Sequence, residues 1–280
     1  MKFVYFGYDF MLPAIQRALD EGHELTGIFS FECDNIFNFN RQCQALAQKR
    51  NVPFIISKAE DFHLNPFLDK GVELFFAAGY PYKIPPIDPA RAYAVNLHPT
   101  YLPKARGLMP IPRIILENMI DAAGLTAHKM TQDFDAGDIL LQEKVNLSPN
   151  ESVETYSAKI ALRAPELVSN LFTNLPELWN NASVQDENKA TTIKPPSDHD
   201  RLLNWNESIE NIARTARAFG NFGSLASFDE QLWVVYNLDV WKEDHALPPG
   251  TIAARLSRET LVAAQNGFVC LKDYQPARIE

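Results

Sequence analysis

VELFFAAGYPYKIPPIDPARAYAVNLH, residues 72–98, sets two apolar runs either side of a Pro-rich connection. Val72–Ala78 is apolar at nearly every position, as a strand buried on both faces of a parallel sheet must be. Ala94–His98 reads as a second such strand, ending in an amide and an imidazole. Working outward, Phe3–Phe6, Leu25–Phe29 and Pro53–Ile56 also read as strands, with helices expected over Leu12–Asp20 and Arg41–Arg50. Downstream, Ile111–Asn118 reads as a helix, and Leu125–Met130 and Ile139–Val145 as strands. The alternation predicts an α/β fold, an open, mostly parallel twisted sheet with helices on both faces. Ligands of such sheets lie beyond the carboxyl ends of the strands, which is where His98 falls. No Gly-x-Gly-x-x-Gly follows the first strand, where the sequence is FGYDFML, so a dinucleotide site is not expected.

A long helical stretch, Ser152 to about Asn180, closes this first domain, with Pro165 as the expected kink. The polar segment 185–203 contains Pro195-Pro196 and reads as a linker between a domain of residues 1–184 and a β-rich domain of residues 204–280. In that tail Ser208–Ala218 reads as a helix, and Ser224–Phe228, Leu232–Trp241 and Leu261–Leu271 as strands.

The 280 residues can bury a full core, and 46% hydrophobic with 22% charged residues is ordinary globular composition. A net charge of −9 argues against a chain built to coat nucleic acid or anionic lipid. Three cysteines without CxxC spacing fit a reducing compartment, and no apolar run approaches the ~18 residues of a membrane span. The N-terminal apolar run is interrupted by Asp9 and lacks a small-residue cleavage site, so it reads as a strand, not a signal peptide. A cytoplasmic protein with no metal site is expected.

The chemistry lies between residues 96 and 138. Asn96 stands two residues before His98; Leu102-Pro103, Arg106-Gly107 and Pro110 follow, and then the acidic loop Asp135-Ala136-Gly137-Asp138. If an amine attacks a carbonyl carbon, the oxygen gains negative charge, the nucleophile sheds a proton and the leaving nitrogen takes one up. A side-chain amide such as Asn96 can donate to that oxygen. An imidazole can move protons near neutrality, and a carboxylate at Asp135 can hold the imidazolium or accept a proton through water. No side-chain nucleophile is needed, because the substrate's amine serves. Singly, an Asn-x-His at a strand end or an Asp-x-Gly-Asp turn has an ordinary structural use. Together and in this order they carry more.

This combination resembles the 10-formyltetrahydrofolate-dependent formyltransferase family, whose pattern runs Asn-x-His, a small hydroxyl residue, Leu-Pro, Arg-Gly, Pro and an Asp-x-Gly loop. Here those positions are Asn96, His98, Thr100, Leu102-Pro103, Arg106-Gly107, Pro110 and 135–137. Thr100 replaces the more usual Ser, and Ala105 stands where an aromatic is common. The resemblance implies that Asn96, His98 and Asp135 are catalytic and that Thr100 and Arg106 contact substrate. It also implies that Tyr82, Lys83, Ile84, Thr131, Gln132, Asp133 and Phe134 line a pocket for 10-formyltetrahydrofolate, the cosubstrate. The tail, with RAFGNFGSLASF and PPGTI, resembles the OB-like β-barrel domain of methionyl-tRNA formyltransferases and of relatives acting on amino-sugar nucleotides.

Charge bears on the acceptor. A tRNA-binding surface needs Lys and Arg along its path. Residues 29–40 (FSFECDNIFNFN), where tRNA-directed members carry a basic loop, hold no Lys or Arg and two acids. From residue 200 to 280 there are eight Lys/Arg and eleven Asp/Glu. Phe37 and Phe39 could stack on a base or sugar, or simply pack. The reading favoured is formyl transfer to a small primary amine, a nucleotide-linked amino sugar first. The alternatives are a methionyl-tRNA formyltransferase and a non-enzymatic folate- or nucleotide-binding relative, and a homodimer is compatible with the tail.

Overall fold

The structure is a computed structural model that describes residues 1–36 and 38–277, so Phe37 lies outside the described residues. In chain order the elements are β1 (Lys2–Gly7), α1 (Leu12–Asp20), β2 (Glu24–Ser30), α2 (Arg41–Arg50), β3 (Phe54–Ile56) and α3 (Asp61–Asp69). Then come β4 (Leu74–Ala78), β5 (Tyr93–His98), α4 (Pro110–Leu116), β6 (Gly124–Lys129), β7 (Ile139–Lys144) and α5 (Val153–Asn180). The tail adds α6 (Ile209–Phe219), β8 (Ser224–Phe228), β9 (Gln231–Lys242), β10 (Ile252–Arg255), β11 (Thr260–Ala264) and β12 (Gly267–Pro276).

The larger sheet has the order β3-β2-β1-β4-β5-β6-β7. Its first five strands are parallel, and β6 and β7 close the edge antiparallel. The mixed, mostly parallel sheet agrees with the alternation read from the sequence. Side chains alternate between faces along each strand. On one face of β1, Phe3 meets Phe172 of α5 edge-on at 5.1 Å, and Phe172 also meets Phe76 of β4 at 5.6 Å. On the other face Phe6 stacks on Phe29 at 4.7 Å, and Leu64 and Phe67 of α3 join the same cluster. Helices therefore cover both faces. Burying each such ring stabilises by about 1.5–3 kcal/mol, so β1, β2 and β4 are firmly held, and β4 pairs directly with β5.

Three local expectations are corrected. α3 has no counterpart in the sequence reading, because Asn65 and Pro66 break the helical pattern. Its start is a Glu60–His63 capping box, in which each side chain bonds the other residue's backbone. In α5 the non-helical residue is Asn174, two before Pro176, whereas Pro165 sits inside the helix without such a break. A proline ring clashes with the carbonyl four residues earlier, which places the distortion from Pro176 upstream of it. Finally, residues 190–193, expected in the linker, run beside 103–107. Thr191 N donates to Pro103 O (3.1 Å), Arg106 N to Thr191 O (2.9 Å) and Ile193 N to Arg106 O (2.9 Å).

A second compact unit comprises residues 111–119, 147–156 and the chain from 195 onward. Its antiparallel sheet has the order β10-β11-β12-β9-β8. Its core contains Leu203, Trp205, Ile209, Ile212, Val235, Val262 and Val269. The Ser208 hydroxyl caps α6 by accepting from Asn211 N.

Candidate active site

Because β5 alternates faces, Asn96 and His98 share one side of the strand. The antiparallel register sets His128 of β6 opposite Asn96, so three polar side chains converge where the last parallel strand, β5, meets β6. The acidic loop then folds back over β6. Its turn depends on Gly137, where a Cβ would stand 1.9 Å from the carbonyl oxygen of Lys129. Asp135 adopts φ +57°, a left-handed conformation uncommon outside Gly but one that Asn and Asp enter more readily than other side chains.

The carboxylate of Asp135 is the hub. Asn96 Nδ2 donates to its Oδ1 at 3.1 Å. His128 Nε2 lies 3.3 Å and His98 Nδ1 3.4 Å from the same oxygen. Its Oδ2 accepts from Gly107 N at 2.8 Å. Burial by itself would raise the Asp135 pKa, but the adjacent imidazoles and the Gly107 N–H outweigh it and hold the carboxyl well below the usual range.

His98 is buried, which lowers its pKa, partly offset by Asp135 and the Ala105 carbonyl. Its Nε2 faces Ala105 O at 3.0 Å while Nδ1 faces Asp135, so both ring nitrogens meet oxygen acceptors. A neutral ring has one proton for two acceptors. It is thus arranged to take up a second proton, which these acceptors would hold.

His128 was not singled out in the sequence. Its Nδ1 faces Lys129 O at 2.8 Å; Nε2 lies 3.1 Å from Asn96 Nδ2 and accepts from it when the ring is neutral, and donates to Asp135 Oδ1 when the ring is charged. The Asn96 amide therefore divides its hydrogens between an imidazole and a carboxylate. The available signal was a single His in an apolar strand just before the acidic loop. Gln185 offered no signal; it is buried and donates to the carbonyls of Asp135 and Gly137, both at 2.7 Å.

Two residues expected against substrate face inward. Thr100 is fully buried and its hydroxyl donates to Lys104 O at 2.9 Å, fixing the turn that follows β5. Arg106 is 8% exposed, and its guanidinium donates to Gln185 Oε1 at 2.8 and 3.1 Å and to Glu187 at 2.7 and 3.1 Å. With its fork engaged there, it is a structural tie in this arrangement.

Of the seven expected cosubstrate residues, Lys83, Ile84, Thr131 and Gln132 line a cleft of about 750 Å³, together with Lys58, Phe62, Pro85 and Pro86. Phe134 is half-exposed, with Lys83 Nζ 5.4 Å from its ring centre. Tyr82 packs edge-on against Tyr80 at 5.4 Å. The Asp133 carbonyl accepts from the Thr131 hydroxyl at 2.9 Å, which shapes the loop. One loop thus runs from the cleft, at residues 131–132, to the buried carboxylate at 135. No group of three or more His, Cys, Asp or Glu suited to a metal ion occurs among the described residues.

The α/β sheet thus brings an amide and two imidazoles on β5 and β6 together with a loop carboxylate, and the same loop borders a cleft. The chain belongs to the formyl transferase family and is a formyltransferase: the family's Formyl transferase model matches residues 64–171 and its Formyl transferase, C-terminal domain model matches residues 196–279. A methionyl-tRNA formyltransferase of Coprothermobacter proteolyticus is 23% identical over 99% of this chain and 93% of its own length. The N-formyltransferase from Helicobacter canadensis, solved with folinic acid and dTDP-3-aminofucose, has TM-score 0.67 at 12% identity, covering 98% of this chain and 99% of that one. HypX from Aquifex aeolicus, solved with tetrahydrofolic acid, has TM-score 0.66 at 16% identity; the match covers 99% of this chain and 44% of HypX.

Proposed function

We propose that the protein transfers a formyl group from 10-formyltetrahydrofolate to the primary amine of a nucleotide-linked amino sugar. The observation that carries the chemistry is the convergence of Asn96, His98 and His128 on the Asp135 carboxylate. The cleft suits the cosubstrate: its volume lies in the ordinary range for small-molecule sites. Apolar Ile84, Pro85, Pro86 and Phe62 can contact the flat ring systems, and Lys58 and Lys83 can meet a carboxylate. The bound group supplies a formyl carbon on a nitrogen leaving group.

The chain's own residues then manage charge and protons. The proton that the attacking amine sheds passes through water to the His98–Asp135 pair, where His98, neutral because it is buried, takes it up and Asp135 and Ala105 O hold the charged ring. As negative charge grows on the carbonyl oxygen, it draws the Asn96 hydrogen now held by His128. The other Asn96 hydrogen stays on Asp135 and keeps the amide aimed. The new C–N bond forms as the bond to the leaving nitrogen breaks, and the proton on His98 passes to that nitrogen. Thr100 and Arg106 serve this reading as supports of the 100–107 turn.

For the acceptor, the acidic residues 29–40 and the acid excess of the tail favour a small anionic molecule over tRNA. The sequence relatives named methionyl-tRNA formyltransferase support the second reading, with tRNA as acceptor. Release of tetrahydrofolate is to be followed with dTDP-linked amino sugars beside methionyl initiator tRNA. Turnover with a sugar is the expected result. Turnover with tRNA alone would overturn the sugar assignment, and turnover with neither would remove both acceptors.

A further inference from the structure

We propose that Gln185 is a positioning residue for formyl transfer, a clamp on the acidic loop that aims the Asp135 carboxylate at His98 and His128, with Arg106 setting the clamp's orientation. The inference rests on the reading of Asp135 as the catalytic carboxylate.

Gln185 is 5% exposed, and each polar atom of its side chain is used. The two Nε2 hydrogens go to the carbonyls of Asp135 and Gly137, both at 2.7 Å. Oε1 accepts from Arg106 Nε at 3.1 Å and Nη2 at 2.8 Å. This settles the orientation of the amide. Turned over, it would set its oxygen against two carbonyl oxygens and its amino group against a guanidinium, which has only donors. Arg106 is itself held by Glu187, whose side chain is 70% exposed. A chain of contacts therefore runs from the surface, through a buried guanidinium and a buried amide, to the loop's backbone.

The loop needs such a tie. Asp135 holds a left-handed φ of +57°, a conformation that persists only where its surroundings impose it. Gln185 grips the backbone on both sides of Ala136, while Lys129 N holds Asp138 O at 2.9 Å farther along. With the Asp135 backbone fixed there, its carboxylate reaches Asn96, the imidazoles and Gly107 N. Without Gln185, two buried carbonyls lose their donors and the backbone is free to turn so as to find others. That rotation carries the carboxylate away from His98. A displacement of about 1 Å in a reacting constellation is enough to cost about 10²-fold in rate.

The test uses the full-length protein and the variants Gln185→Ala, Gln185→Glu and Asp135→Asn, with the two Gln185 variants also combined with Asp135→Asn. Gln185→Glu keeps the contact with Arg106 while losing both donors. Turnover is read with 10-formyltetrahydrofolate and whichever of dTDP-linked amino sugar or methionyl initiator tRNA the wild type accepts. The His98 imidazole is titrated by NMR, its signal assigned by its loss in His98→Gln. The groups facing His98 are Asp135, the Ala105 carbonyl and His128. The expected result is a kcat about 10²-fold lower in Gln185→Ala, with KM for both substrates within about threefold. The His98 midpoint moves down, because the carboxylate that raises it has moved away. In the Asp135→Asn background the Gln185 substitutions should add less than about threefold, since both act through one group.

Wild-type kcat with an unchanged His98 midpoint in either folded Gln185 variant would overturn the proposal. So would a loss that multiplies in full with that of Asp135→Asn, or failure of both Gln185 variants to fold, which would mark a purely structural role. If Asp135→Asn itself turns over like wild type, the proposed catalytic reading has failed instead, and the NMR midpoint still reports separately whether the clamp aims the carboxylate.

Discussion

His98 shows how a single side chain binds catalysis to stability. Its folded pKa is lowered by burial, so between that value and the ordinary ~6.5 the unfolded chain holds more protons than the folded one. Stability must therefore fall as the pH drops below about 6.5. Asp135 acts in the same direction at lower pH: its contribution is complete above the ordinary ~3.9 and is lost as the pH falls toward its depressed folded value. Thermal midpoints measured from pH 7.5 to 5 should decline in the wild type and decline less in His98→Gln. Equal slopes would mean that the buried imidazole is protonated at no cost. Asn96 is the second residue to test. Removing one amide donor to a developing oxyanion typically costs about 10²–10³ in kcat, and that is the loss expected for Asn96→Ala, with a folded protein confirmed by circular dichroism. Near-wild-type turnover would remove Asn96 from the mechanism.

At the scale of elements, the site is a consequence of register. Antiparallel pairing of β6 against β5 sets His128 opposite Asn96, and a return over β6 delivers Asp135 to both histidines. The return needs Gly137, so Gly137→Ala should lower kcat by about 10²-fold and cost some 1–3 kcal/mol in denaturant unfolding. Wild-type kinetics and stability would show that the loop accommodates a Cβ after all. Much of this was legible in the sequence. The apolar run at 72–78 marks a doubly buried strand, and Asn96, His98 and Asp135 stand out as a set whose chemistry is coherent. What was hidden depends on distance along the chain. His128 gains meaning only from the register between strands, and Gln185 lies 50 residues from the carbonyls that it holds. Thr100 and Arg106 carry groups that suit a substrate, and nothing local tells that their donors are spent on Lys104, Gln185 and Glu187. Likewise Pro66 and Pro165 lie within helices because tertiary packing outweighs their local penalty.

At the scale of the whole molecule the question is which acceptor a chain of net charge −9 can hold. Several basic side chains of the tail are already paired. Arg255 bonds Asp229, Lys272 lies 2.9 Å from Asp239, and Arg201 lies 2.9 Å from Asp198. Recruiting them to phosphate would mean giving up those partners. A protein that neutralises 6–10 phosphates loses about 10³–10⁵ in affinity between 50 and 200 mM salt. A nucleotide-linked sugar presents two phosphates, and over the same range its binding should change by less than about tenfold, as ordinary screening of a few charges dictates. The acceptor KM measured at both salt concentrations therefore separates the two classes without mutation. A shallow dependence with a dTDP-linked amino sugar is the expected outcome, and a steep one with methionyl initiator tRNA would show that basic side chains of the tail such as Arg201, Arg255 and Lys272 leave their partners to meet a polyanion.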